Sequence, residues 1–422
     1  MEVTLGLLLD SSNGRPLTLK KNMLFNTVGS LFYQGCLWLT TVLVVLLSED
    51  YGVSGVLSFA MTIGNMYFAI ATYNMRTYQV SDISNKYSQQ NYVGFRLVTI
   101  SIGFATMIPY TLIVSPDVMT MLTVLLYLLF KMDEEFCDVL YGIDQRGGRM
   151  DYIGISQTLR GFLLVAGFSV GMAALHSINL AIVLMFVMCL SITFVYDVPH
   201  ARRLDKIQPK ISKEQTISLL RECLPVVLSS LFLGMVVSVA RQYYGNVYGM
   251  DNLGKYAAVA TPAVLIQAAA RYLYAPTLVP LAEKWKESPQ KEFMKSFKKI
   301  LGTLALSSLA MVLLLSLCGK PILLAVYGDN IAPYTYLFPY VLISTAAIAV
   351  IWFISDSLII CRNLRGLLVS NAVALGITLL IMMPFERLFG MNGINYVVIA
   401  SMLIGIIVGL VYLHKSITTS CI

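Results

Sequence analysis

The sequence predicts an all-α polytopic membrane protein with about 12 transmembrane helices in two six-helix lobes around a central lumen. Three observations lead to this prediction. Of the 422 residues, 57% are hydrophobic and only 13% are charged, whereas a soluble domain carries roughly 25% charged residues. Apolar runs of about 20 residues, the length that crosses a bilayer as an α-helix, recur along the whole chain. Finally, the lysines and arginines between these runs are distributed very unequally.

Each of the twelve apolar segments is predicted to form one spanning helix. In chain order they cover residues 24–47, 53–75, 95–115, 117–141, 152–175, 178–197, 223–244, 254–280, 300–318, 334–360, 366–383 and 393–413. Pro262, Pro276 and Pro280 fall in the eighth segment, where proline removes a backbone donor and breaks a helix locally. The competing interpretation of each is an ordinary proline of a membrane helix.

The charge asymmetry predicts an even number of spans with both termini in the cytoplasm. Of the 30 lysines and arginines, 23 fall in alternate connections on one side, and only Lys255, Lys320 and Arg387 fall on the other. Cytoplasmic loops collect basic residues, so the first side is the cytoplasmic one. The net charge of +7 then follows from loop charge, and we expect no nucleic-acid partner. Residues 1–18 are expected to form a short cytoplasmic tail.

The two halves of the chain resemble each other. Tyr51-Gly52-Val53-Ser54-Gly55 opens the second span, and Tyr248-Gly249-Met250-Asp251-Asn252-Leu253-Gly254 opens the eighth, so each half places a Tyr-Gly turn and a second glycine before its second helix. Repeated halves are typical of secondary transporters. We therefore predict an N-terminal six-helix lobe at 1–200, a cytoplasmic linker at 201–222 and a C-terminal six-helix lobe at 223–422.

The fourth span carries charges that cannot face lipid. Lys131, Glu135 and Asp138 are spaced i, i+4 and i+7, which places them on one helical face, and Glu134 lies beside it. Charges within a span are costly, so they face a partner or a cavity. Two interpretations remain open. The charges pair with one another and hold the bundle together, or they line a polar lumen whose carboxylates take up Na⁺ or H⁺.

Basic residues occur within the membrane in both halves. Arg160 lies about nine residues after the hairpin 142–151 and Glu134 about nine before it, so we expect Arg160 to pair with Glu134 or Glu135. Arg271 has a similar depth in the second half. Because guanidinium groups bind phosphate through paired hydrogen bonds, the hypothesis is that Arg160 and Arg271 contact an anionic substrate.

Three further charged residues lie closer to the membrane surfaces. Arg76 and Arg241 are near helix ends, where long side chains can also reach the headgroups. Asp356 adds an acid in the inner third of the tenth span. Seven cysteines and three histidines show no metal-ligand spacing, so we expect no cofactor beyond a coupling Na⁺ or H⁺.

Several motifs resemble those of one transporter family. They are Asn74-Met75-Arg76-Thr77-Tyr78-Gln79-Val80-Ser81-Asp82, the run 134–145 that begins Glu134-Glu135-Phe136-Cys137-Asp138, the run Arg149-Met150-Asp151-Tyr152-Ile153-Gly154-Ile155-Ser156 followed by Arg160-Gly161, and Leu253-Gly254-Lys255-Tyr256. With the twelve-span topology, these segments resemble the bacterial polysaccharide repeat-unit flippases (Wzx type). That family belongs to the multidrug/oligosaccharidyl-lipid/polysaccharide superfamily.

The resemblance implies a function. The chain would move undecaprenyl-diphosphate-linked oligosaccharide from the inner to the outer leaflet of a bacterial cytoplasmic membrane by alternating access, for capsule, O-antigen or exopolysaccharide synthesis. It would perform no covalent chemistry, and its partners would be the bilayer and possible neighbours in synthesis, the polysaccharide polymerase and glycosyltransferases. The basic lumen residues of the family map onto Arg76, Arg160, Arg241 and Arg271. Ion coupling or gating falls to Lys131, Glu134, Glu135, Asp138 and Asp356.

Two other functions compete with this one. A multidrug or small-cation antiporter of the same superfamily would carry a cationic cargo, so its lumen would be acidic or aromatic. The embedded arginines argue against it, and the acids of the fourth span argue for it. A membrane-embedded polysaccharide polymerase or ligase would carry a sizeable outer loop with candidate catalytic groups, and the predicted outer loops are short.

Overall fold

The computed structural model describes residues 17–82, 86–287 and 290–419, and within these ranges the regular elements are all helical. Ten helices in the described ranges are long and apolar enough to cross a bilayer. The prediction of an all-α polytopic membrane protein is therefore confirmed. The predicted cytoplasmic tail lies outside the described residues except for Leu17 and Thr18.

The first half of the chain contains eight described helices. They are α1 (Leu19–Leu47), α2 (Tyr51–Thr72), α3 (Met75–Ser81), α4 (Gln89–Val114), α5 (Val118–Arg146), α6 (Met150–Ala173), α7 (Ile178–Ile192) and α8 (Val198–Leu204). A π-helical turn, Thr193–Asp197, joins α7 to α8 without a break. Hydrogen-bonding side chains define two of the starts. Ser88 and Asn91 form a capping box at α4, and Asp117 accepts a hydrogen bond from the Thr120 amide at α5.

The second half contains eight more described helices. They are α9 (Lys213–Tyr248), α10 (Met250–Ala260), α11 (Val264–Tyr274), α12 (Leu278–Glu287), α13 (Gln290–Tyr327), α14 (Phe338–Ile360), α15 (Leu364–Phe389) and α16 (Met391–Thr419). Short 3₁₀ turns, Thr261–Ala263 and Ala275–Thr277, separate α10, α11 and α12. The eighth span is thus interrupted at Pro262 and Pro276, whereas Pro280 lies within α12.

Two of the predicted spans are not among the ten apolar helices. One corresponds to α5, which is long enough but carries the charged face described below. The other is the broken segment α10–α12, whose pieces are each 10 or 11 residues long. Both coincide with predicted segments, 117–141 and 254–280.

Several helices are longer than the predicted spans. The predicted linker 201–222 is largely helical, because α8 ends at Leu204 and α9 already begins at Lys213. In the same way, the predicted connection 281–299 and the ninth span form α12 and the long helix α13. Charged stretches of good helix formers extend an apolar helix into water, because nothing in them stops the backbone pattern. The length of an apolar segment therefore predicts the length of the membrane span but not the full length of the helix.

The chain divides into two compact units. The N-terminal unit comprises Met1–Glu49 and Ile63–Leu224, and the C-terminal unit comprises Asp50–Thr62 and Pro225–Ile422. The two halves of α2 thus belong to different units. The predicted lobes 1–200 and 223–422 instead place all of α2 in the N-terminal lobe.

Close backbone packing explains why the first half of α2 belongs to the C-terminal unit. A Cβ atom at Gly55 would lie 1.8 Å from the carbonyl oxygen of Met250, and one at Gly254 would lie 1.8 Å from the carbonyl oxygen of Tyr51. Glycine is needed at both positions, because any side chain would force the helices apart. These are the second glycines of the two Tyr-Gly repeats, so the repeated motif packs α2 against α10.

Candidate functional site

The charged face of α5 forms ion pairs inside the N-terminal unit. Arg96 of α4 is fully buried and places its two terminal nitrogens 2.6 Å from Asp138 Oδ2 and 3.5 Å from Glu135 Oε2. It also donates to the Ala71 carbonyl oxygen, 2.8 Å away. Two of the predicted coupling residues, Glu135 and Asp138, are therefore held by one arginine that the sequence analysis did not include.

Lys131 and Glu134 make a second cluster on the same helix. The Lys131 ammonium pairs with Glu134, and the hydroxyl of Tyr33 in α1 donates to the other oxygen of that carboxylate. The Lys131 nitrogen lies 5.5 Å from the centre of the Phe68 ring, in cation–π range. Both charges of the pair are about six-sevenths buried. The polar stripe thus faces protein groups from α1, α2 and α4.

Arg160 of α6 pairs with Asp133 of α5 and Asp197 of the π-helical turn. The expected pair with Glu134 or Glu135 is wrong, because α6 faces the side of α5 that carries Asp133. Arg160 is 2% exposed. Its guanidinium also donates to Thr193 Oγ1 at 2.8 Å and to Cys137 Sγ at 3.0 Å.

The π-helical turn supplies two of the ligands of this arginine. Thr193 and Asp197 occupy its first and last positions, and Thr193 Oγ1 donates to Asp133 Oδ1 at 2.6 Å. A single π turn inside an α-helix redirects side chains and often occurs at functional positions. Arg160 is therefore fixed by three polar residues of two neighbouring helices, and its role in substrate binding stays a prediction.

Arg76 of α3 is more accessible than Arg96 and Arg160. Its side chain is 26% exposed and lies 3.3 Å from Asp138 Oδ1 and 3.3 Å from Gln145 Oε1. Farther along the same connection, Lys86 donates to Glu222 Oε1 at 2.9 Å, and this hydrogen bond raises the pKa of Lys86. Arg76 keeps part of its guanidinium available to a ligand, which Arg96 and Arg160 do not.

In the C-terminal unit, Arg271 and Asp356 belong to one constellation. Tyr274 of α11 donates a hydrogen bond of 3.0 Å to Asp356 Oδ2 of α14, and Arg271 lies three residues before Tyr274 in the same helix. The Arg271 guanidinium lies 6.0 Å from the centre of the Trp352 ring, and its residue is exposed. No ion pair between described residues holds Arg271 or Asp356.

Arg241 and Glu386 lie near the other end of the C-terminal unit. The Arg241 guanidinium is 5.4 Å from the centre of the Tyr256 ring, and the Tyr256 hydroxyl donates to Asn395 Oδ1 at 2.8 Å. Glu386 of α15 is fully buried and acts electrostatically on Tyr244 and Tyr256. Neither of its carboxylate oxygens has a hydrogen-bond partner within the described ranges.

The sequence analysis missed several of these groups for identifiable reasons. Arg96 lies at the very start of the predicted third span and Glu386 lies outside the predicted eleventh span, although both lie inside helices. Asp133 was passed over because it lies off the Lys131–Asp138 face. The sequence feature that could have indicated Asp133 is Arg160, which lies at a similar depth in the next helix.

The chemistry of these groups suits binding and does not resemble a metal centre. No group of three histidine, cysteine or acidic residues in the described ranges could hold a metal ion. The accessible guanidinium groups of Arg76 and Arg271 suit an anion such as a phosphate. The carboxylates of half-buried Asp356 and fully buried Glu386, which form no ion pair between described residues, suit a proton or a small cation.

Comparison with known proteins gives one curated relative and several structural neighbours. No family model matches the chain. The capsular polysaccharide biosynthesis protein CapF of Staphylococcus aureus is 24% identical over 316 residues, which cover 74% of this chain and 78% of CapF.

The solved structures establish the fold. An inward-facing multidrug resistance MATE family transporter of the MOP superfamily matches 91% of this chain and 96% of its own, with a TM-score of 0.68 and 14% identity. The lipid II flippase MurJ, in an inward closed conformation, matches 94% of this chain and 87% of its own, with a TM-score of 0.68 and 12% identity. The chain therefore has the fold of the multidrug/oligosaccharidyl-lipid/polysaccharide superfamily transporters. The all-α transporter fold that the sequence motifs imply is thus confirmed.

Proposed function

We propose that this protein is a flippase that moves an undecaprenyl-diphosphate-linked oligosaccharide from the inner to the outer leaflet of the bacterial cytoplasmic membrane. The observation that carries the proposal is the relation to CapF. A chain with a transporter fold matches a capsular polysaccharide biosynthesis protein along about three quarters of its length. A transporter in capsule, O-antigen or exopolysaccharide synthesis has to carry the lipid-linked repeat unit, because its polar head cannot cross hydrocarbon unaided.

The arginines divide by exposure into two proposed roles. Arg271 is exposed and Arg76 partly so, and we assign both to the diphosphate of the cargo. Arg160 is bound on all sides by groups of its own unit, so its proposed role is to hold α5, α6 and the π-helical turn together. Arg241, half-buried over Tyr256, is assigned to the cargo with them.

Coupling to Na⁺ or H⁺ is assigned to the acids of the C-terminal unit. Among the proposed coupling residues, Lys131, Glu134, Glu135 and Asp138 already form ion pairs. Asp356 and the newly found Glu386 have no described ion-pair partner. A desolvated carboxylate without a partner binds a proton or a cation in preference to remaining charged. Transport by alternating access with this coupling involves no covalent chemistry.

The decisive experiment is transport of a fluorescent undecaprenyl-diphosphate oligosaccharide in proteoliposomes with an imposed Na⁺ or H⁺ gradient. We expect the label to become accessible to quencher on the opposite leaflet only in vesicles that contain the protein. In cells, deletion should accumulate repeat units on the inner leaflet. Accumulation on the outer leaflet would instead support a polymerase or ligase.

An exporter of drugs or small cations is the second candidate. The observation that favours it is that the MATE family transporter matches with the same TM-score, 0.68, as the lipid II flippase. The fold thus does not separate the two functions. Sensitivity of a deletion strain to cationic dyes, with normal polysaccharide at the surface, would decide for the exporter.

A further inference from the structure

A pocket of about 420 Å³ lies inside the C-terminal unit, where the broken segment α11–α12 packs beside α13. Two faces form it. Ser296, Lys299, Ile300, Thr303 and Leu304 share one face of α13, and Leu273, Thr277, Leu281 and Lys284 share the facing side of α11–α12. The spacings of three, four and seven residues place each set along one side of its helix. Tyr274, whose hydroxyl donates to Asp356, also lines the pocket. No residue assigned above to cargo or ion is among the lining residues.

The break in the helix makes room for this pocket. Pro276 lies in the 3₁₀ turn Ala275–Thr277 and Pro280 in the first turn of α12, and both line the pocket. Because proline donates no backbone hydrogen bond, the helix cannot continue regularly through this point. The pocket thus lies where the regular helix is interrupted, and α13 forms its other side.

The pocket has a basic rim and an apolar wall. Lys284 donates to Ser296 Oγ at 2.7 Å, which fixes its ammonium group at the rim. Lys299 stands on the opposite face. Within the described ranges neither lysine has a carboxylate partner. Leu281 and Leu304 close the floor and are buried.

The surroundings of the pocket are those of a membrane surface. Val279 and Leu306, one turn from its wall, are 67% and 69% exposed, as expected of side chains that face lipid. The sequence analysis predicts the cytoplasmic side for residues 281–299. Six lysines lie in α12 and the first turns of α13, namely Lys284, Lys286, Lys291, Lys295, Lys298 and Lys299.

We propose that this pocket binds the headgroup phosphate of an anionic phospholipid from the cytoplasmic leaflet. Two ammonium groups and the hydroxyl of Ser296 match the charge and the acceptors of a phosphate. The apolar wall then accommodates the start of the acyl chains. Basic pockets between membrane helices on the cytoplasmic side are suited to such headgroups, because that leaflet carries the anionic lipids. None of the residues assigned to cargo or coupling lines the pocket, although Tyr274 of its wall donates to Asp356. The proposal does not depend on the identity of the cargo.

The test is titration of the full-length protein in neutral detergent with phosphatidylglycerol, followed by native mass spectrometry. The pocket variant Lys284→Gln/Lys299→Gln is compared with Lys291→Gln/Lys298→Gln, which removes the same charge from the opposite face of α13. We expect the pocket variant to bind phosphatidylglycerol about tenfold more weakly than the matched control. Phosphatidylcholine should bind all three proteins equally and weakly.

A third variant tests whether the lipid needs the space of the pocket as well as the charge of its lysines. Thr303→Phe fills the pocket and keeps every lysine, and it should also weaken phosphatidylglycerol binding while gel filtration and thermal unfolding stay as in the wild type. Equal weakening in the pocket and control pairs would overturn the proposal, because only surface charge would then matter. So would pocket-dependent binding of undecaprenyl diphosphate without binding of phosphatidylglycerol. Because these experiments measure lipid binding and not transport, they can fail independently of the proposed flippase function.

Discussion

The two units bury charge in different ways. In the N-terminal unit, the buried arginines Arg96, Arg149 and Arg160 each pair with an aspartate of the same unit. In the C-terminal unit, the ion pair between described residues is Lys255–Asp251, at a partly exposed position. Its buried Glu386 has no hydrogen-bond partner in the described ranges, and Asp356 has only the hydroxyl of Tyr274.

This difference separates structural charges from charges available to a ligand. An ion that is desolvated and fully paired has little left to offer a substrate, and removing its partner is costly. An acid that its own unit leaves unpaired is satisfied only by a proton, a cation or a cargo group. The N-terminal unit therefore uses its charges to hold α4, α5 and α6 together. In the proposed function, Asp356 and Glu386 of the C-terminal unit serve coupling, and the partly exposed Arg76 is the exception in the N-terminal unit.

The largest effect on stability is expected for Arg160→Met. The variant leaves Asp133 and Asp197 without their common cation, so the free energy of unfolding should fall by about 3–5 kcal/mol. Denaturant unfolding of the purified protein in mild detergent measures this change. Lys86→Met serves as the control, because its pair with Glu222 is solvent-exposed and exposed pairs contribute little. Equal effects of the two substitutions would contradict the structural role of the buried charges.

We expect the stability of the C-terminal unit to depend on the close contact between α2 and α10. Gly254→Val places a side chain against the Tyr51 carbonyl oxygen, so α2 and α10 must separate, at a cost of about 1–3 kcal/mol. Gly376→Val on α15 is the matched control, because no atom lies within 4 Å of a Cβ there. The same unfolding measurement applies. A control as damaging as Gly254→Val would show that valine in a helix, and not the helix contact, is responsible.

Glu386 tests the comparison between the units most directly. Glu386→Gln removes a buried charge without a described partner, so the free energy of unfolding should stay within about 1 kcal/mol or rise. Glu135→Gln in the N-terminal unit should lower it instead, because Arg96 loses one of its two acids. In proteoliposomes, Glu386→Gln should also remove the dependence of transport on the ion gradient. A destabilised Glu386→Gln with unchanged coupling would make this acid structural.

The sequence was sufficient for the helices and insufficient for the ion pairs. Apolar runs and the charge asymmetry predict spanning helices, because the bilayer sets their length and composition. The spacing of Lys131, Glu135 and Asp138 also predicts a polar face correctly. Which face of α6 meets α5 depends on helix rotation and on the π-helical turn Thr193–Asp197, and neither has a signature in a single sequence. For this reason Arg160 was assigned to the wrong acid of α5.

Arg271→Gln should have the smallest effect on stability and a clear effect on transport. Arg271 is exposed and has no described ion-pair partner, so the free energy of unfolding should not change measurably. If its guanidinium binds the diphosphate of the cargo, the substitution should raise the cargo concentration for half-maximal transport about tenfold. For Arg271→Lys, the cargo concentration for half-maximal transport should lie between those of the wild type and Arg271→Gln. An ammonium group keeps the charge but loses the paired donors.

Arg387→Gln is the matched control for Arg271, because it removes an exposed arginine of the same unit that has no proposed role. Half-maximal transport should then be unchanged. If both substitutions weaken transport equally, the effect comes from the net charge of the unit and not from Arg271. If Arg271→Gln instead destabilises the protein as Arg160→Met does, then the C-terminal unit uses its arginine structurally, and the contrast between the two units disappears.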